Sequence, residues 1–151
     1  MNSPSAIHNP DGARSYELLQ KYTGGIELFG HEVKAIKSGR GSLRGAYVTY
    51  KKGEIFLIDF LIPPYQAANV PEYYAEKRPR RLLLTKREIR HLAQKMQQER
   101  LTVIPLKVFS SKGLIKVEIA LAKGLKKYEK REKIKKRDFD REKERAIKRT
   151  T

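Results

Sequence analysis

The distribution of apolar and polar residues along the chain predicts a body built mainly of β-strands. Residues 16–29 are rich in β-branched and aromatic side chains and are interrupted by Gly24 and Gly25, so we expect a strand that bends or bulges there. Residues 43–51 and 54–62 form one predicted hairpin, with a glycine in its short turn. Residues 101–109 and 114–122 form a second one, with apolar and charged residues alternating in its latter strand. The pattern therefore predicts an antiparallel sheet with one buried and one solvent-facing side.

Two short helices are predicted between these strands. Residues 31–38 place apolar side chains at helical spacing, with Glu32 in the first turn. Thr85 and Glu88 have the T-x-x-E spacing of a capping box and precede an apolar face, which predicts a helix to about residue 98. Pro63, Pro64 and Pro71 make residues 63–81 a connection, and residues 82–84 could add a brief strand.

The two ends of the chain differ from this body. Residues 1–14 hold prolines among small polar residues and are predicted to be a loose leader, followed by a domain over 15–122. Residues 123–151 form a basic tail with 14 Lys and Arg against 6 Asp and Glu, a net charge of +8. The tail has helix-compatible i,i+4 charge pairs but no continuous apolar stripe, and each pair contributes only about 0.2–0.5 kcal/mol. We therefore expect an arm that is disordered alone and helical when bound.

The overall charge narrows the class of partner. The 34 Lys and Arg against 17 Asp and Glu give a net charge of +17, which suggests a polyanion. A nucleic acid, a sulfated glycan and an anionic membrane surface would each satisfy the sign. The absence of cysteine excludes disulfides and thiolate metal sites and fits the reducing cytoplasm. No stretch approaches the length of a secretory signal or a membrane span, so we expect a cytoplasmic protein without a membrane partner.

Candidate catalytic chemistry is absent from the sequence. The three histidines are far apart and have no metal-ligand spacing, and the glycine-rich segment 39–45 lacks the Lys-Ser/Thr ending of a P-loop. We expect no enzyme activity, metal or cofactor. The remaining signal is basic and aromatic: residues 77–90 hold seven Lys and Arg. The tyrosines that accompany them on or beside predicted strands and loops are Tyr47, Tyr50, Tyr65, Tyr73 and Tyr74. These are ingredients of RNA recognition, although composition alone equally allows core tyrosines and a solvated charged face.

Three separated motifs give the chain a family resemblance. They are Gly25–Lys34 (GIELFGHEVK), Arg81–Ile89 (RLLLTKREI), and Lys123-Gly124 followed by Glu129–Asp138 (EKREKIKKRD). Together they make the sequence, from about residue 16 to 148, resemble the small protein B family, the SsrA-binding proteins of bacterial trans-translation.

The resemblance implies a fold and a function. The fold would be mostly β with α, an oligonucleotide-binding (OB-type) antiparallel β-barrel with short helical inserts. The protein would bind the tRNA-like domain of transfer-messenger RNA (SsrA RNA) and deliver it, as a monomer, to stalled ribosomes. The elongation factor that carries alanyl-tmRNA would be a further partner. The tail would fold to a helix in the empty mRNA channel near the decoding centre.

The resemblance also implies the site residues. Those expected on the RNA-binding side are Glu32, Lys34, Arg40, Asn69, Arg80, Arg81, Lys123 and Lys126. Those expected at the decoding centre are Glu129, Lys130, Arg131, Ile134, Lys135, Lys136 and Arg137. The chain departs from the family pattern after Asn69, where residues 70–76 read VPEYYAE in place of a segment containing Asp-Pro.

Two other classes of function remain open at this point. A ribosomal structural or assembly protein, with a tail threaded into rRNA, would have much the same charge and patterning. An RNA-modifying enzyme comes third, since the sequence offers no acid-base pair for it.

Overall fold

We describe a computed structural model, which covers residues 6–66, 73–98, 100–125 and 141. Within these residues seven strands form one antiparallel sheet in the order β1-β6-β7-β2-β5-β4-β3. The strands are β1 (Ile7–His8), β2 (Tyr16–Ile26), β3 (Tyr47–Lys51), β4 (Glu54–Ile58), β5 (Arg80–Leu83), β6 (Leu101–Ser111) and β7 (Leu114–Gly124). The helices are α1 (Gly12–Ser15), α2 (Gly30–Lys37) and α3 (Lys86–Met96).

The sheet curls so that strands from its two ends come into contact. The strand β3, at one end of the order, packs against β6 near the other end, which gives a barrel-like shape. Apolar side chains from all the longer strands and from α2 and α3 fill one core. The predicted architecture, an OB-type antiparallel barrel with short helical inserts, is confirmed. The predicted arm, apart from residues 123–125 and 141, lies outside the described residues.

The long central strand β2 changes partner near its end. It pairs with β7 from Tyr16 to Gly25 and with β5 at Gly25 and Ile26. The irregularity lies at Leu18/Gln20, so the predicted bulge at the glycine pair is in the wrong place. Gly24 has a different role: a Cβ there would lie 2.8 Å from the Leu83 carbonyl oxygen and 2.5 Å from Leu84 Cδ2. The glycine therefore allows the end of β5 to approach β2 closely.

Both predicted hairpins are confirmed. Each has a Lys-Gly turn with positive φ at both residues: 51° and 81° at Lys52 and Gly53, and 51° and 81° again at Lys112 and Gly113. These angles belong to type I′ turns, whose twist matches that of the paired strands. In the first hairpin the strands are shorter than predicted, beginning at Tyr47 and ending at Ile58.

Both predicted helices are also confirmed. In α3, Thr85 Oγ1 accepts a hydrogen bond from the Glu88 N–H at 3.2 Å, and Glu88 Oε1 accepts one from the Thr85 N–H at 3.0 Å. This reciprocal capping box fixes where the helix begins. Leu92 is fully buried, and α3 packs against β6.

Order begins earlier in the chain than predicted. The strand β1 pairs with β6 through Ile7 opposite Val108, and Ile7 is buried. Asn9 Nδ2 also donates a hydrogen bond to the Pro105 carbonyl at 2.8 Å. The prediction of a loose leader is thus wrong for these residues, because a two-residue strand is too short to give a periodic signal and is ordered by its contacts with β6. The boundaries of the domain and tail stay predictions.

Candidate functional site

A buried carboxylate at the start of α2 organises one region of the surface. Glu32 is fully buried and occupies the third position of the helix, where its Oε1 accepts a hydrogen bond from the Phe29 N–H at 2.8 Å. Arg78 Nη2 lies 2.5 Å from the same oxygen, and Arg80 Nη2 lies 2.6 Å from Oε2. Tyr74 donates its hydroxyl hydrogen to Oε2 at 2.8 Å. One carboxylate therefore holds together the helix, the 73–79 segment and β5.

Arg80 is the second fully buried charge in this cluster. Its guanidinium also donates to the Phe60 carbonyl at 2.5 Å, the Glu76 carbonyl at 3.0 Å and the Arg78 carbonyl at 3.2 Å. Almost every donor of the guanidinium thus has an acceptor inside the protein, which compensates for the loss of water around a buried cation.

The cluster fixes the protonation states of its members. Burial by itself raises the pKa of Glu32, but hydrogen bonds from Arg78, the Phe29 N–H, Arg80 and Tyr74 outweigh it and lower the pKa to about 2. Burial and the hydrogen bond to Glu32 raise the pKa of Tyr74 to about 12. At neutral pH the cluster therefore contains an ionised carboxylate and a neutral tyrosine.

Aromatic side chains surround the exposed side of this cluster. The Arg78 guanidinium carbon lies 4.1 Å from the centroid of the Phe29 ring, a cation–π contact. The rings of His31 and Tyr74 meet edge to face with 4.5 Å between centroids. Tyr73 is 90% exposed beside them. The result is a basic surface with aromatic walls, the combination that binds unpaired nucleotides.

Exposed cations continue this surface along α2. Lys34 is exposed on the helix, and Arg40 is exposed just after it. The Arg40 guanidinium lies 6.0 Å from the centroid of the Tyr65 ring and donates to the Tyr65 carbonyl at 3.4 Å. Of the residues predicted to bind RNA, the structure thus brings Glu32, Lys34, Arg40 and Arg80 to one region.

Arg81 points away from this cluster, because successive side chains of a strand face opposite sides of the sheet. Its guanidinium is 2.7 Å from Glu54 Oε1 and is also hydrogen-bonded to Glu27. The hydrogen bond that Arg81 donates to Glu27, and next the one that it donates to Glu54, raise the pKa of Arg81. Two carboxylates compensate its charge, so Arg81 braces the strands β4 and β5 against the end of β2.

Lys123 lies at the other end of the β2–β7 ladder. In the strand register Lys123 is opposite Glu17, whereas Lys116 is opposite Gly25, which lies close to α2. The structure therefore does not place Lys123 beside the α2 residues. The other predicted residues lie outside the described part of the chain: Asn69, Lys126, Glu129, Lys130, Arg131, Ile134, Lys135, Lys136 and Arg137.

Comparison with known proteins identifies the family of this chain. The family model described as SmpB protein matches residues 6–149. This chain belongs to the SmpB family. The SsrA-binding protein of Mycoplasma genitalium is 50% identical over 136 residues, which are 90% of this chain and 93% of that protein. The SsrA-binding protein of Thermosipho africanus is 47% identical over 134 residues, 88% of this chain and 89% of that protein.

A solved structure extends the comparison to three dimensions. It is described as "tmRNA-SmpB: a journey to the center of the bacterial ribosome", and the match has a TM-score of 0.67 at 32% identity. The match covers 85% of this chain and 94% of the other. The SmpB-type barrel is therefore common to both molecules over most of their length.

Sequence reasoning missed two residues at the centre of the surface beside α2. Phe29 was assigned only to the end of a strand, and Arg78 only to a basic connection. The i,i+3 spacing of Phe29 and Glu32 could have indicated a helix start at which the carboxylate caps the backbone. Nothing in the sequence could have linked Arg78 to Glu32, because 46 residues separate them.

In the described part of the chain no group of three or more His, Cys, Asp or Glu side chains is arranged to hold a metal ion. None of the helices described there has the length and apolar character needed to cross a membrane.

Proposed function

We propose that this protein binds the tRNA-like domain of SsrA RNA and delivers it to stalled ribosomes for trans-translation. The observation that carries this proposal is the family match over residues 6–149, which includes both the barrel and the basic tail. The named SsrA-binding relatives support it, as does the net charge of +17. The basic aromatic surface beside α2 is chemically suited to RNA.

The roles of the predicted residues differ. Lys34 and Arg40 are exposed and would contact RNA phosphates. Glu32 and Arg80 have no exposed surface, so they would act by holding α2 and the 73–79 segment in place. Lys123 would meet a separate part of the RNA at the far end of the barrel. Arg81 would act mainly through its pairs with Glu27 and Glu54.

For residues 123–151 we propose a tail that orders on the ribosome. A polycation with helix-compatible charge pairs can fold when rRNA phosphates compensate its charge and lower the cost of ordering. The residues proposed to act near the decoding centre run from Glu129 to Arg137.

We further propose that the protein works as a binding partner and not as an enzyme. Its site of action would be the cytoplasm, where ribosomes translate, and it would act as a monomer. The elongation factor carrying alanyl-tmRNA would join the same complex.

A binding comparison at physiological salt tests this function. The protein should bind the tRNA-like domain of SsrA RNA much more tightly than an unrelated hairpin RNA of equal length, measured by gel shift. Physiological salt is essential, because nonspecific phosphate contacts are strong at low salt and weaken steeply as salt rises. Equal affinity for the two RNAs would rule out specific recognition.

Co-sedimentation separates this function from that of a structural ribosomal protein. A rescue factor should be recruited together with SsrA RNA to ribosomes that have reached the end of a broken message. A constitutive component would remain at one copy on every ribosome after a high-salt wash.

A further inference from the structure

Two neighbouring pockets share one side chain, His31. The first, the aromatic pocket, has a volume of about 570 Å³ and is lined by Phe29, His31, Tyr73, Tyr74, Ala75 and Arg78. The second, of about 310 Å³, will be called the basic pocket; it is lined by Gly30, His31, Lys34, Tyr65 and Gln66. Both lie within the range of roughly 300–1,000 Å³ that is usual for pockets that hold small ligands.

The aromatic pocket presents flat apolar surface to solvent. Tyr73 is 90% exposed and Phe29 is 52% exposed, although aromatic side chains of this size normally bury most of their surface. The Phe29 ring cannot easily turn away, because Arg78 is stacked on it and is itself anchored by Glu32. Tyr74 is held in the same way by its hydrogen bond to Glu32. Two of the aromatic walls are thus pre-oriented by a buried network.

The charge beside these walls is positive. The buried cluster has two guanidinium groups and one carboxylate, which leaves an excess of one positive charge. Arg80 is fully buried, whereas the Arg78 side chain is 23% exposed, so the excess charge is presented to solvent by Arg78. Lys34 adds a second cation in the basic pocket. A ligand that fits both pockets must therefore be flat and aromatic at one end and anionic at the other.

We propose that the two pockets together hold one unpaired nucleotide of the bound RNA. Its base would stack on Phe29 and Tyr73 in the aromatic pocket, and its phosphate would lie beside Lys34 in the basic pocket. This inference rests on the proposed function and specifies how that function reads RNA. An unpaired nucleotide is required, because a base inside a duplex cannot expose its face to an aromatic side chain.

The same geometry favours a nucleotide within a chain over a free one. A free nucleotide would pay the full loss of translational and rotational freedom, and the exposed Tyr73 wall offers little enclosure in return. A nucleotide already tethered by phosphate contacts elsewhere on the protein binds as an intramolecular event.

Two substitutions separate base stacking from phosphate contact. Tyr73→Ala should weaken binding of the tRNA-like domain roughly ten- to a hundredfold without changing the salt dependence, as expected for the loss of a stacked base. Lys34→Ala should reduce the slope of log affinity against log salt by about 0.7–0.9, as expected for the loss of one phosphate contact. Tyr73→Phe keeps the ring and should bind like the unsubstituted protein. Tyr73 is so exposed that its truncation should leave the melting temperature unchanged.

Tyr50→Ala is the matched control, because Tyr50 is an exposed tyrosine on β3 outside both pockets. If Tyr50→Ala and Tyr73→Ala weakened binding equally, or if Tyr73→Ala had no effect, the pocket assignment would be wrong while specific binding of the tRNA-like domain stood. If the unsubstituted protein did not prefer the tRNA-like domain, the proposed function itself would fail.

A crosslinking experiment identifies the occupant. A photoreactive phenylalanine analogue placed at position 73 should crosslink to one unpaired nucleotide or a short unpaired run in the tRNA-like domain. Crosslinks spread over its duplex regions would overturn the proposal. Millimolar adenosine monophosphate should leave the crosslink yield unchanged. A loss of yield would assign the pockets to a free nucleotide and would also overturn it.

Discussion

At the level of single residues, Glu32 is fully buried and yet ionised. It stays ionised because four groups from three parts of the chain donate hydrogen bonds to it. Removing one partner of a buried ion pair is strongly destabilising, because it leaves the other charge buried without compensation. An exposed ion pair contributes little to the free energy of unfolding. Two adjacent arginines illustrate the two cases, since Arg80 pairs with Glu32 inside and Arg81 pairs with Glu27 at the surface.

This contrast makes a prediction about stability. Glu32→Gln should lower the free energy of unfolding by about 3–5 kcal/mol, because Arg80 would keep a buried charge without an anion. Glu27→Gln should cost about 1 kcal/mol or less, because its pair is solvent-exposed. Urea denaturation of the two variants checks both values. Similar costs for the two substitutions would show that Glu32 is no more important to stability than a surface carboxylate.

A second prediction concerns acid. Folding lowers the pKa of Glu32 from 4.5 to about 2, so its stabilising effect is complete above pH 4.5 and is lost as the pH falls through 2. Between pH 5 and pH 2.5 the unsubstituted protein should lose about 2–3 kcal/mol more unfolding free energy than Glu32→Gln does over the same interval. Urea titrations at the two pH values give this difference. Parallel losses would mean that the pKa of Glu32 is not lowered by folding.

At the level of elements, the junction of β2 with β5 depends on a close backbone approach. A Cβ on Gly24 would meet the Leu83 carbonyl oxygen at 2.8 Å, while nothing lies within 4 Å of a Cβ on Gly30. The two glycines lie six residues apart, Gly24 near the end of β2 and Gly30 at the start of α2. Substituting each one therefore tests the strand junction and the helix separately.

Alanine at these two glycines should have different effects on stability. Gly24→Ala should destabilise the protein by about 1–3 kcal/mol, because the strands must move apart or Leu84 must change rotamer. Gly30→Ala should be neutral or should stabilise by up to about 1 kcal/mol, since alanine favours the helix and meets no neighbour. Thermal unfolding of both variants measures whether Gly24→Ala is the less stable of the two. A neutral Gly24→Ala would show that β5 does not need the close approach.

The elements that the sequence predicted well are those whose signals are local. The Thr85–Glu88 capping box and the two Lys-Gly turns depend on residues a few positions apart, and each lies where it was expected. The bulge at Leu18/Gln20 and the strand at Ile7 were missed, because both depend on pairing with distant strands. For the same reason the family resemblance implied that Glu32 and Arg80 are site residues, but it could not reveal that they are buried against each other.

At the level of the whole molecule, positive charge is divided between a folded body and a tail. The net charge of +17 includes +8 within the last 29 residues. If the body binds the RNA and the tail acts on the ribosome, removing the tail should affect these two activities unequally. The folded body would retain its own RNA contacts, because Lys34 and Arg40 are positioned by α2 and the residues that follow it.

We therefore predict the effect of ending the chain before Glu129. The shortened protein should keep its preference for the tRNA-like domain over a hairpin RNA, while rescue of stalled ribosomes should be lost. A full-length protein in which lysines and arginines of 129–137 are exchanged for one another keeps the charge and serves as the control. Parallel loss of both activities on truncation would mean that the tail is only an electrostatic clamp.

The strand β5 carries a further consequence for how the barrel folds. Its sequence, Arg-Arg-Leu-Leu, has Arg80 and Leu82 buried and Arg81 and Leu83 facing outward. A slip of one residue would present the same two side-chain types to each side, so the strand itself hardly distinguishes the two alignments. The correct alignment is instead favoured by charged neighbours, chiefly Glu32 inside and Glu27 and Glu54 outside. Carboxylates in α2, in β4 and at position 27 thus help to fix the registration of a strand that lies far from α2 in the sequence.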